Sequence, residues 1–163
     1  VEQQQSVKMC VNISPATLAD ERSRLQLLTL FKRYPKQAAK LAIELPEFSL
    51  YAIEPAMQTI LVELNTIGVA LAVDQVGSGH LTLAYLQRLP LDYIRIAGHI
   101  NRGIHQADDQ RFYLEAMVQA AHSRGVQVMA EGIEMEQDAN ALIEAGVDGV
   151  SGYYFSAPLA IPS

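Results

Sequence analysis

Several short apolar stretches of this sequence each end in a side chain that could do chemistry: Asn12, Glu44, Asp74, Arg95 with Ala97 close behind it, Glu131 and Ser151. A single acid at such a position is ordinarily a turn or helix-capping residue. Three carboxylates and an amide gathered at one rim are a different matter, because their mutual repulsion is costly without protons or a cation. Asn12, Glu44, Asp74 and Glu131 therefore have the make-up of a divalent-metal site with hard oxygen ligands, and Arg95 is the evident cation beside them. The other polar candidates carry less. His80, His99, His105 and His122 lack ligand spacing and read as surface or loop groups. Gly77-Ser78-Gly79 reads as a flexible turn rather than a phosphate loop.

The elements that must position these groups alternate along the chain. Strands are expected at Val7-Ile13, Leu41-Leu45, Val69-Asp74, Tyr93-Ala97, Val126-Glu131 and Gly149-Ser151, each short and apolar. Helical spacing falls between them, over Tyr51-Ile67, Asp109-Arg124 and Glu136-Ala145, and each of these helices is stopped by a glycine: Gly68, Gly125 and Gly146. Helices that stop at Gly and run at once into a strand are successive parallel β/α units, so the class is α/β.

Strand parity supplies the direction of each side chain. Val69, Leu71 and Val73 alternate with Ala70, Ala72 and Asp74, giving a bulky face for helices to cover and a small face that would point into a barrel. By the same alternation Cys10 and Asn12, Ala42 and Glu44, Tyr93, Arg95 and Ala97, and Gln127, Met129 and Glu131 point inward, with Met9, Val11 and Ile13 outward. Cys10 and Met129 read as filler of the barrel interior. Inward groups at the carboxyl ends of strands are where α/β barrels keep their chemistry.

Composition removes several function classes. The 163 residues are half apolar, enough for one sizeable core, and the whole of 1–163 reads as one domain. A net charge of -6 with scattered Lys and Arg offers no stripe for nucleic-acid phosphates. The lone Cys10 allows no disulfide framework or thiolate cage, which fits a reducing, cytoplasmic setting. No apolar run is long enough to suggest membrane contact by this segment.

The motifs resemble those of the EAL domain family. Val11-Asn12-Ile13-Ser14-Pro15 is similar to the family's Asn-x-Ser-Pro, Glu44-Leu45-Pro46-Glu47 to Glu-x-Thr-Glu, and Asp74-Gln75-Val76-Gly77-Ser78-Gly79 to Asp-Asp-Phe-Gly-Thr-Gly. Tyr85-Leu86-Gln87-Arg88-Leu89-Pro90-Leu91-Asp92 resembles Tyr-Leu-x-x-Leu-Pro-x-Asp. Ala130-Glu131-Gly132-Ile133-Glu134 matches Ala-Glu-Gly-x-Glu, and Ser151-Gly152-Tyr153-Tyr154-Phe155-Ser156-Ala157-Pro158 resembles Gln-Gly-Tyr-x-Phe-Ser-x-Pro. The resemblance implies a TIM-like (β/α) barrel that binds cyclic-di-GMP at its strand ends and, when active, opens it with two Mg²⁺ or Mn²⁺ ions. It supplies strands three to eight of that barrel, an incomplete set. The first two strands, with the Glu-Ala-Leu signature and a phosphate-binding Arg, have no counterpart, so the resemblance implies that they lie upstream of Val1 or have been lost.

What the resemblance implies for the site is a partial set. Asn12, Glu44, Asp74 and Glu131 match metal-side residues, with the signature Glu missing, so Mg or Mn is expected at one site at most and, on balance, at none. The second Asp of Asp-Asp is Gln75, the Asp of Lys-x-Asp is Ala97, and its Lys, near the attacking water in active members, is Arg95. Glu131 then survives as a vestigial catalytic carboxylate. Ligand contacts are expected from Asn12, Glu44, Asp74, Glu131, its partner Glu134, Ser151 in place of Gln, and Pro158. Glu47 matches the acid that anchors the loop after Asp74, and Leu81-Arg88 looks like the family's dimerisation segment. The expectation is a catalytically degenerate regulatory domain of bacterial signalling, a cyclic-di-GMP receptor or effector that self-associates or works with other domains of a parent protein. A nucleotide-independent interaction module is the alternative, and a residual phosphodiesterase the third reading.

Overall fold

Val69, Leu71 and Val73 are completely enclosed, and so are Ala70 and Ala72 on the opposite face of the same strand. A strand buried on both faces belongs to the middle of a parallel sheet, where crossover helices cover one side. The computed structural model describes residues 9–77 and 83–156. It has six strands, β1 (Met9–Asn12), β2 (Leu41–Pro46), β3 (Ala70–Val76), β4 (Tyr93–Ile96), β5 (Gln127–Ala130) and β6 (Gly149–Val150). Each pairs in parallel with the next, in the order of the chain. That is the wall of an incomplete α/β barrel, and all six expected strands are in it.

The outer layer is built from α1 (Pro15–Ala19), α2 (Glu21–Arg33), α3 (Pro35–Ala38), α4 (Pro55–Thr66), α5 (Gly98–Asn101), α6 (Asp108–His122) and α7 (Glu136–Glu144). In α4 the stripe Met57, Ile60, Leu61 and Leu64 is buried and the helix packs on β3. Leu114, Met117 and Ala121 of α6, which packs on β5, and Leu142 of α7 continue the same core. The expected helix over Tyr51-Ile67 is in two parts: Glu47–Ala52 forms a 3-10 turn and α4 starts at Pro55. Proline lacks an N–H and pushes the residue before it out of the helical region, so Pro55 fits only in the first turn. Helix α2 was not anticipated. Its start is marked by Asp20, whose carboxylate accepts the Ser23 N–H at 2.7 Å.

Two further expectations are corrected at the edge of the sheet. Met9 (65% exposed) and Val11 (40%) are not covered by helices, because β1 pairs with β2 alone among the described residues. Cys10 is exposed rather than interior filler, and Met129 is half-buried. An open wall leaves inward-facing groups within reach of water.

Candidate functional site

The strands bring four of the expected groups together, and the arrangement follows from the small residues of β3. Tyr93 and Arg95 alternate along β4 with the buried Ile94 and Ile96. Between them and Glu44 on β2 lies β3, whose Ala72 is too short to block their path. Tyr93 donates its hydroxyl proton to Glu44 Oε1 at 2.7 Å, and its oxygen lies 3.3 Å from Cys10 Sγ on β1. Arg95 meets Glu44 with both arms of its guanidinium: Nη1 to Oε2 at 3.1 Å, and Nη2 to Oε1. Such a two-pronged pair fixes geometry as well as charge. Glu44 itself is 2% exposed, so without these donors it would be an almost dry anion.

The same guanidinium faces the other two acids. Arg95 Nη1 lies 3.8 Å from Asp74 Oδ1 and 3.6 Å from Glu131 Oε2. Asp74 Oδ1 is buried and makes no hydrogen bond, so Arg95 is the group that answers its charge. The register between β3 and β4 slips between Val73 and Val76, and within that slip Gln75 adopts φ +59°, a left-handed conformation uncommon for a side-chain-bearing residue. The bulge aims Gln75 as well as Asp74 at the cluster, and Gln75 Nε2 donates to Glu131 Oε1 at 3.4 Å.

Electrostatics follow from this packing. Burial works against the charge on Arg95, but Glu44, Glu131 and Asp74 together hold its pKa above the ordinary value. Glu131 is pushed up from the usual carboxylate range by burial, with Arg95 opposing and Asp74 and Glu44 adding to the rise. Tyr93 is likewise raised, first by burial and then by its bonds to Cys10 and Glu44, so it remains a neutral donor.

Other expected groups fall elsewhere. Asn12 stands beside Glu44 in register on the exposed β1, without a bond to Arg95. Ala97 is fully buried and binds β3 only through its backbone, its N–H donating to Val76 O at 3.0 Å. Glu134 pairs with Arg102 at 2.7 Å on the surface and does not reach the cluster. Ser151 is exposed, held by backbone bonds to Ala130 and Ile133. Pro158, His80 and the beginning of the Leu81-Arg88 segment lie outside the described residues; Leu83–Gln87 is a 3-10 turn. Glu47, 3% exposed, receives the Gly77 N–H at 3.0 Å and the Tyr85 hydroxyl at 3.5 Å, and so ties down the chain just after β3. His105 and His122 bond Asp138 and Asp148 rather than one another.

A pocket of about 320 Å³ opens beside the cluster, with Cys10, Tyr93, Arg95, Met129 and Ser151 in its wall. Two signals could have revealed Tyr93: its inward parity and its place two residues before Arg95. The present donor set does not fit a pair of divalent ions. A guanidinium stands among the acids, Gln75 brings a neutral amide, and Ala97 brings no oxygen donor. Among the described residues, no group of three or more His, Cys, Asp or Glu side chains is arranged to hold a metal ion.

Comparison with known proteins places the chain. A sequence model of the EAL domain matches residues 2–158, and the chain belongs to that family. It is 30% identical over 155 residues to the probable cyclic di-GMP phosphodiesterase PdeN of Escherichia coli (strain K12), a match covering 95% of this chain and 30% of that protein. It is 33% identical over 159 residues to the cyclic di-GMP phosphodiesterase NbdA of Pseudomonas aeruginosa, covering 96% of this chain and 19% of that one. The chain thus spans less than a third of the length of either relative. In three dimensions it superposes on an EAL domain protein from Listeria monocytogenes EGD-e with a TM-score of 0.81 at 29% identity, over 93% of this chain and 60% of that one.

Proposed function

We propose that this chain is a catalytically silent EAL domain with a regulatory role, a receptor or effector module for cyclic-di-GMP. The observation that carries the reading is Arg95, ion-paired with Glu44, Asp74 and Glu131 where a hydrolytic member of the family would gather its ions. Metal-assisted hydrolysis needs an ion to generate the nucleophile and another charge to steady the leaving oxygen. The substitutions Gln75 and Ala97 leave this rim without the oxygen donors for that work. What remains suits recognition: the Tyr93 ring and an open pocket beside the Arg95 cluster that admits a ligand.

One observation favours the second reading, an interaction module that takes no nucleotide. One guanidinium facing three carboxylates leaves the rim net negative, which repels a ligand carrying two phosphates. Calorimetry with cyclic-di-GMP on the wild type and on Asp74→Asn separates the two. A receptor whose rim is the docking site binds weakly as wild type and more tightly, by up to about tenfold, once a like charge is removed. Binding that is absent or unchanged in both proteins would give the interaction module the better claim.

A further inference from the structure

We infer that Arg95 is a built-in replacement for the metal, a tethered cation that occupies the carboxylate cluster and keeps divalent ions out of it. This rests on the silent-domain reading and goes further, since lost ligands alone would leave a partial metal site. The geometry is that of an occupied site. Both oxygens of Glu44 are engaged, Oε1 by Tyr93 and Arg95, and Oε2 by Arg95. Asp74 and Glu131 turn one oxygen each toward the same Nη1. Mg²⁺ demands near-octahedral oxygen ligands at about 2.1 Å, so it cannot share these acids with a guanidinium held between them. An entering ion would have to expel the guanidinium from a nearly buried partner and would be repelled by it on the way.

The arrangement also gives the acids a role in the folded chain. With their cation supplied from β4, Glu44 and Asp74 are structural counter-ions, and each becomes costly only when Arg95 is removed. A lysine at this position would bring a compact point charge without the fork that meets Glu44 in two places. The arginine therefore closes the site in a way that the family's Lys would not.

The test is a titration of the 163-residue chain with Mn²⁺, followed by calorimetry and by the electron-paramagnetic signal of the free ion. The wild type is expected to show no saturable binding up to about 1 mM. Arg95→Ala, which removes the cation and leaves room, is expected to bind at least about tenfold more tightly, to melt at a lower temperature without the ion, and to recover on its addition. Arg95→Ala combined with Glu44→Gln should lose that gain. If Arg95→Ala does not fold in either condition, Arg95→Gln carries the same expectation while keeping hydrogen-bond donors. Saturable wild-type binding abolished by Glu44→Gln would overturn the inference, as would a folded Arg95 variant with no gain. Wild-type binding of Mn²⁺ without turnover would sink this inference alone, whereas wild-type turnover would sink the silent-domain reading.

Discussion

Glu44 is held by two different donors, and each makes a separate demand on stability. Tyr93→Phe removes the hydroxyl but keeps the ring, leaving a nearly buried carboxylate short of one hydrogen bond. It should cost about 1–3 kcal/mol in urea unfolding; a change within error would mean that water replaces the hydroxyl. Glu131 behaves in the opposite sense. Its folded pKa is raised, so between the unfolded value of 4.5 and the folded one the native state holds a proton that the unfolded chain has released, and stability falls as pH rises through that window. Glu131→Gln should therefore be at least as stable as wild type at neutral pH, with a flatter profile of melting temperature as pH rises above 4.5. A less stable variant at neutral pH would show that the pair with Arg95 outweighs the burial. The sequence made Arg95 visible as an inward cation through strand parity. It did not reveal that the guanidinium reaches three acids, because that depends on how far a long side chain extends across the small residues of β3.

At the scale of elements, the strands are tied at their starts by a repeated device. Asp92, just before β4, accepts the Leu71 N–H of β3 at 2.9 Å, and Asp148, just before β6, accepts the Val128 N–H of β5 at 2.7 Å. Burial opposes the Asp148 charge, but the bonds from Val128 and His122 prevail and hold its pKa below the usual range. A depressed carboxylate contributes stability that is complete above the unfolded value and is lost as pH falls through the folded one. Asp148→Asn should accordingly lower stability at neutral pH and soften the acid end of the unfolding profile; identical acid profiles would count against the clip. Gly152 is a second fixed point, since a Cβ there would lie 2.2 Å from the Ile133 backbone N and O. Gly152→Ala should destabilise the last strand's exit and lower the melting temperature. The strands and three main helices were legible in the sequence because alternation and glycine stops act locally. Pro55 itself marks the split, since a proline is tolerated only in the first turn of a helix. Helix α2 has no fully buried residue, and its Leu27, Leu28 and Phe31 pack only half-buried against the core among many charged and polar neighbours, so its low hydropathy hid it rather than a lack of periodicity.

At the scale of the whole molecule, the parallel wall ends in strand β1, exposed throughout and carrying Met9 and Val11 into solvent. An apolar edge without a partner among the described residues is a template for another strand. Self-association is expected, seen as a concentration-dependent mass in sedimentation; a monomer mass constant with concentration would contradict it. No helix among the described residues is long and apolar enough to cross a membrane. The family was legible from its ordered motifs, whereas the chemistry had to be sought in the departures from them, at Gln75, Arg95 and Ala97. An arginine in the place of the ions at this rim is the central expectation. The most direct measurement is conversion of cyclic-di-GMP to the linear dinucleotide by the chain with Mg²⁺ or Mn²⁺ at neutral pH. No product above a protein-free control is expected with either ion. Product that forms with the wild type and disappears with Glu131→Ala would contradict it.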